Sequence, residues 1–161
     1  MSGRGGPSPT AVGGAGLRLA LVVTRWYAEL TDALLAGAMA GAASCGVEEP
    51  TVTRVPGAFE LPVVARTLTG AHDAVVALGL VLRGDTPHFE YVCRAATDGL
   101  ARVAIDTGVP IGFGLLTCDT EEQARDRAGL AGSREDKGRE ATLAAIETAL
   151  LLRNIRADRR C

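Results

Sequence analysis

One octet combines the parts that proton transfer on an anionic substrate requires: Gly84-Asp85-Thr86-Pro87-His88-Phe89-Glu90-Tyr91. An imidazole takes and gives protons near pH 7, which makes His88 the candidate proton carrier. Pro87 has no amide hydrogen and a fixed φ, so it suits the first helical position and makes Thr86 the expected N-cap. A turn that opens a helix leaves backbone amides pointing outward. The positive helix end then attracts an anion, and a phosphate is the natural guest. A histidine in a first helical turn also occurs as a plain exposed side chain.

Two further positions carry candidate chemistry. Trp26, the single tryptophan, directly follows the apolar run Leu17 to Thr24. A ring at a strand's carboxyl end can stack on a flat heterocycle, or it can plug a core or an interface. Glu60 lies in Val55-Pro56-Gly57-Ala58-Phe59-Glu60-Leu61-Pro62, where Pro56 and Gly57 force a turn before a helix. Its carboxylate can accept from sugar hydroxyls or simply favour the helix dipole.

These residues need a sheet to hold them. Val75 to Leu82 is an unbroken run of eight apolar residues, as expected of a strand buried on both faces. Leu17 to Thr24, Thr51 to Val55 and Ile111 to Leu116 read as three more strands. Helices are expected between them. One runs from Glu29 to Cys45, with Leu30, Leu34, Ala38, Met39 and Ala42 on its apolar face and Gly46 ending it. Another carries Phe89, Val92, Cys93, Ala96, Leu100 and Val103 on one face. Thr120 and Gln123 form a capping box for a helix that continues through Arg127 to Gly129. Ser133 is the expected cap of a last helix reaching Arg156.

That last helix has two apolar stripes, Leu143, Ile146 and Leu150 on one and Ala141, Ala144, Ala145 and Thr148 on the other. Two buried faces need two neighbours: the sheet and, as one reading, a second subunit. Strands alternating with helices imply a three-layer α/β fold, a four-stranded parallel sheet covered on both faces, closest to the flavodoxin-like class. Trp26, Glu60 and the Gly84 to His88 turn each follow a strand, so all should project from the sheet's carboxyl edge, where such folds bind ligands.

The length of 161 residues suits one domain, expected over residues 17–156 between a flexible Gly- and Pro-rich tail, 1–16, and a basic tail, 157–161. A net charge of -2 gives no general attraction to nucleic acid or to a membrane. Cys45, Cys93, Cys118 and Cys161 are scattered, with no Cys-x-x-Cys, so no metal site is indicated. No apolar run approaches the roughly 20 residues that span a bilayer, and no signal-peptide core is present. A cytoplasmic chain with reduced thiols is the expectation.

The octet from Gly84 to Tyr91, the octet from Val55 to Pro62, the segment Thr117 to Ala124 and the segment Gln123 to Gly129 together resemble the lumazine synthases, in the same order, over about Leu17 to Arg156. The resemblance implies the condensation of 5-amino-6-(ribitylamino)uracil with 3,4-dihydroxy-2-butanone 4-phosphate, without metal or organic cofactor. It implies that Trp26 stacks on the pyrimidine and that Ala58, Phe59 and Glu60 hold the ribityl chain. Leu82, Gly84, Asp85 and Thr86 then line the site beside His88, and Arg127 binds phosphate. Phe113, Arg127 and Lys137 are implied to come from an adjacent subunit of a pentamer. The segment between Gly129 and Lys137 is longer than in shell-forming relatives, so a pentamer or a pair of pentamers is expected. A non-catalytic oligomer that binds lumazine or flavin is the alternative. Asp85 brings a carboxylate into the proposed phosphate turn, where it needs to turn away or pair with Arg83 or Arg127.

Overall fold

The computed structural model describes residues 11–158. Met1 to Thr10 and Arg159 to Cys161, most of the two expected tails, lie outside the described residues. The order of elements is β1 (Leu19–Thr24), α1 (Ala28–Ser44), β2 (Thr51–Val55), a 3-10 turn (Ala58–Glu60) and α2 (Leu61–Leu68). β3 (Ala74–Leu82), α3 (His88–Thr107), β4 (Ile111–Cys118), α4 (Glu121–Arg125) and α5 (Lys137–Asp158) complete it. All strand pairs are parallel, in the order β2-β1-β3-β4. This is the flavodoxin-like order, whose direction of winding reverses between β1 and β3.

Alternation along the central strands sorts the core into two layers. Leu19, Leu21, Val23, Val76 and Leu78 face α1 and α5, where Ala38, Ala42, Ala145 and Ile146 meet them. Ala20, Val22, Val75 and Ala77 face the other way, onto Leu61, Ala65, Ala96 and Leu100 of α2 and α3. A third cluster at the carboxyl edge joins Leu30 and Leu34 to Leu80, Leu116, Ala124 and Ala128. The three-layer fold is therefore the expected one, with β3 buried along most of its length.

Several local expectations are corrected. The chain between residues 11 and 16 is not a loose tail: the Gly14 amide donates to the Cys45 carbonyl at 2.7 Å, and Val12 packs on the core. Met39 is on the exposed side of α1, while Gly37 and Gly41 are buried instead. α3 starts at His88, with Pro87 in the cap position and no side-chain cap from Thr86, because the first turn is tight and the Glu90 amide reaches back to the Pro87 carbonyl at 3.1 Å. α4 stops at Arg125, so Arg127 is not helical. Backbone pairing of Glu135 to Asp126 and of Lys137 to Arg127 pulls that segment out of the helix.

Ser133 does not cap α5, because its hydroxyl donates to the Arg125 carbonyl. Asp136 takes the role, accepting from the Arg139 amide at 2.9 Å. α5 continues two residues past Arg156, to Asp158. Within the chain, Ala141 and Ala145 of its second stripe are buried, α1 packs along the helix, and Ala144 and Thr148 are exposed. Glycines make this contact close. A Cβ on Gly138 would overlap the Leu34 carbonyl oxygen, and one on Gly37 would overlap the Asp136 carboxylate.

Candidate active site

The carboxyl ends of β1, β2 and β3 deliver three loops to one edge, where the winding reverses between β1 and β3, the place at which such folds bind ligands. After β1 the chain must turn sharply into α1. Tyr27 makes that turn with φ 54° and ψ 60°, and it is the single non-glycine residue with positive φ among the described residues. A left-handed tyrosine costs about 1–2 kcal/mol and is held by the first turn of α1, because its carbonyl accepts the amides of Leu30 and Thr31. The turn leaves the Trp26 indole 65% exposed at the edge. The ring of Tyr27 lies 6.5 Å from it at a 45° tilt.

The loop after β2 brings Glu60 to the same place. Gly57 is extended, so its lack of a side chain serves space and not backbone angle. A Cβ there would sit 3.3 Å from Glu60 Oε2 and 3.6 Å from Trp26 Nε1. Indole, glycine and carboxylate therefore enclose one narrow gap. Ala58 beside them is buried, and Phe59 stands 65% exposed. The 3-10 turn itself packs on α3, which ties this group to the third loop.

The third loop leaves Leu82 half-buried at the end of β3 and exposes Gly84, Asp85, Thr86 and His88. The amides of Gly84, Asp85, Thr86, His88 and Phe89 meet no acceptor among the described residues. Five backbone donors without an acceptor thus stand at a helix start, the kind of setting that favours an anion, although Thr86 does not cap it. Asp85 forms no ion pair among the described residues and so does not take either expected partner.

Arginine availability separates the cations. Arg83 Nε donates to Asp119 at 2.6 Å and its Nη1 to Glu90, and its guanidinium lies 4.3 Å from the Phe89 ring centroid. The side-chain bonds to Asp119 and Glu90 raise its pKa further, while the Arg83 guanidinium holds Glu90 below the ordinary carboxylate value. Arg125 is shared by Glu29 and Glu121, and Arg134 pairs with Asp126. Arg127 differs: Nη1 donates to the Gln123 carbonyl at 2.7 Å, and no carboxylate pairs with it among the described residues.

Lys137 adjoins Arg127, whose carbonyl accepts the Lys137 amide at 2.9 Å. It is not the exposed lysine that position alone suggests. Its side chain is 19% exposed, and its ammonium lies between Glu135 at 2.9 Å and Glu140 at 2.6 Å. Burial disfavours the charge, but the bonds to Glu140 and Glu135 outweigh it and raise the pKa. The capping box holds, with Thr120 Oγ1 accepting the Gln123 amide at 3.3 Å. Gln123 Oε1 in turn accepts the amide of Asp119, one residue before the cap.

Within one chain, then, Trp26, Gly57 and Glu60 meet, and Arg127 meets Lys137 through backbone. Phe113 stands apart on the edge strand β4, level with Ala77 and 45% exposed. Sequence reasoning singles out neither Tyr27 nor Asp119, and it names Arg83 only as one partner for Asp85, a pair the structure does not form. Cavities of about 670 and 630 Å³ lie at the opposite, amino edge, around Arg18 and His72. Among the described residues no cluster of three His, Cys, Asp or Glu could hold a metal ion, and no helix is long and apolar enough to cross a membrane.

Comparison with known proteins gives the family. The family model described as 6,7-dimethyl-8-ribityllumazine synthase matches residues 16–153. A protein of that name from Frankia casuarinae is 64% identical, covering 96% of this chain and 98% of its own. Those from Kineococcus radiotolerans and Streptomyces coelicolor are 63% and 54% identical, covering 96% of this chain and 96% and 97% of their own. With the family model spanning all four strands and relatives alike from end to end, the chain belongs to the 6,7-dimethyl-8-ribityllumazine synthase family.

Proposed function

We propose that the chain condenses 5-amino-6-(ribitylamino)uracil with 3,4-dihydroxy-2-butanone 4-phosphate, giving 6,7-dimethyl-8-ribityllumazine, phosphate and water. The observation that carries the reading is the convergence at the β1/β3 reversal of an exposed indole, a carboxylate across a glycine gap and an anion nest bearing a histidine. Trp26 stacks on the pyrimidine, a contact of roughly 1–3 kcal/mol by analogy with bases. Glu60 and the backbone around Ala58 and Phe59 answer the ribityl hydroxyls, which must be paired once buried. The amides from Gly84 to Phe89, with Arg127, cradle the phosphate.

Amine attack on the ketone, loss of water to an imine, release of phosphate, and closure of the ring with loss of a second water each move a proton. His88 is suited to carry it, because it stands exposed beside the nest with no hydrogen-bond partner of its own among the described residues. Holding two substrates in register does much of the rest.

Phe113, Arg127 and Lys137 reach the crevice from an adjacent copy, in a ring of five or a pair of such rings. The exposed Trp26, Phe59, Tyr91, Phe113 and Ile105 supply apolar surface for such contacts. The free thiols of Cys45, Cys93 and Cys118 suit a reducing cytoplasm.

The test mixes purified protein with both substrates and follows lumazine fluorescence, beside His88→Ala. Turnover that falls in the variant is expected. Tight lumazine binding without turnover by the intact protein would instead identify a binding module, and a particle near one megadalton by light scattering would overturn the small ring.

A further inference from the structure

We propose that Arg83 is a positioning residue, bridging Asp119 and Glu90 so that the nest and the first turn of α3 hold His88 in register. This rests on the reading of the Gly84 to His88 turn as the catalytic loop. The turn has little else to hold it. Its own amides point outward, a Cβ at Gly84 would meet nothing within 4 Å, and the residues from Arg83 to His88 are exposed.

Arg83 closes both ends. Its amide donates to the Cys118 carbonyl at 3.0 Å, extending the β3/β4 ladder by one rung, and its guanidinium reaches Asp119 on the neighbouring loop. The same guanidinium bonds Glu90, two residues beyond His88, and covers the Phe89 ring. A planar fork can serve two carboxylates in different directions, whereas an ammonium is a point charge. Two carboxylates on one cation also leave Arg83 with no net charge to offer a substrate. A second role, as direct phosphate ligand, predicts the opposite behaviour, because freeing the guanidinium would then tighten phosphate binding.

Two variants separate the roles: Arg83→Gln, and the double change Glu90→Gln with Asp119→Asn. All three side chains are about half exposed, at 45%, 55% and 59%, so the substitutions spare the core. Turnover, KM for the phosphorylated substrate and the Kd of inorganic phosphate are measured on each assembled protein. Both variants should lower kcat by roughly tenfold to a hundredfold, the cost of a small misplacement at a reacting centre. The phosphate Kd should stay within about twofold, combining the variants should add nothing further, and Arg83→Lys should not restore kcat.

Phosphate that binds weaker to Arg83→Gln and tighter to the carboxylate variant would make Arg83 a ligand instead. Unchanged kcat in both would make the bridge an ordinary surface ion pair, as would full rescue by Arg83→Lys. His88→Ala runs alongside, and full turnover there overturns the reading of the loop whatever Arg83 does. Glu90→Gln alone, which leaves Asp119 in place, serves as the milder variant should the double change fail to assemble.

Discussion

The indole of Trp26 and the carboxylate of Glu60 both border the space beside Gly57, which has room for a hydrogen but not for a relaxed methyl group. Gly57→Ala places a Cβ 3.3 Å from Glu60 Oε2, tighter than ordinary contact, without straining an extended backbone. The expected result is a nearly unchanged unfolding midpoint, because the carboxylate is the end of a flexible side chain that can give way. The KM for the ribitylaminouracil should rise roughly tenfold, about 1.4 kcal/mol, because the displaced carboxylate no longer meets the ribityl hydroxyls. Steady-state kinetics with the phosphorylated substrate held saturating check it. An unaltered KM would mean the ribityl chain does not use this gap.

Arg127 stands apart from Arg83, Arg125 and Arg134 in having only a carbonyl to answer, the Gln123 oxygen at 2.7 Å. Arg127→Ala should weaken the phosphorylated substrate by roughly 10- to 100-fold, the range of a lost charged hydrogen bond, with thermal stability unchanged. Arg127→Lys should recover only part of it, because the fork is lost. Phosphate affinity that survives Arg127→Ala would leave the nest amides as the whole anion site.

Asp85 is exposed and meets no cation among the described residues, so its charge is uncompensated beside the nest. Asp85→Ala should leave phosphate affinity equal or tighter by equilibrium binding. Clearly weaker binding would show that the carboxylate itself supports the site, by accepting from the substrate or by shaping the turn.

Gly138 lies in the first turn of α5, where alanine would ordinarily be favoured by about 1 kcal/mol. Here the new Cβ would overlap the Leu34 carbonyl oxygen on α1, which is backbone and cannot step aside. Overpacking should win. Gly138→Ala is expected to destabilise the chain by about 3 kcal/mol, read as a lower denaturant midpoint at constant slope. Wild-type stability would mean that the two helices can separate without cost.

How far such features are legible in the sequence depends on their range. β1 and β3 are readable because buried strands need apolar runs, and β2, exposed along most of its length, because it is rich in β-branched Thr and Val; the site's three loops then lie where those strands end. The approach of α1 to α5 is not readable, because small residues on α5 fit another subunit as well as they fit α1. Local preference over residues 121–128 is helical and would carry Arg127 into the helix. Pairing to residues 135–137, which periodicity does not encode, overrides it. The bridge from Arg83 to Asp119 spans 36 residues and leaves no pattern in either segment. Long-range polar pairs of this kind are where reading in one dimension runs out.

At the amino edge, Arg18 donates to Asp73 from its backbone at 2.9 Å and from Nη2 at 3.0 Å. The side-chain bond from Arg18 is the largest cause that holds the Asp73 carboxyl below its ordinary value, with burial opposing it. A depressed folded pKa means that the unfolded chain takes up the proton first as pH falls. The stabilisation is therefore present above the unfolded value of about 3.9 and is lost as pH drops through and below it. Arg18 stays charged throughout, so Asp73 alone sets this dependence. Asp73→Asn should lower the unfolding midpoint at pH 7 by less than Gly138→Ala does, because the pair is largely exposed. The gap to the parent protein should close between about pH 4 and pH 2. If the gap is as large at about pH 3 as at pH 7, the carboxylate's charge is not what joins Asp73 to Arg18, and the loss reflects hydrogen-bond geometry that asparagine cannot reproduce.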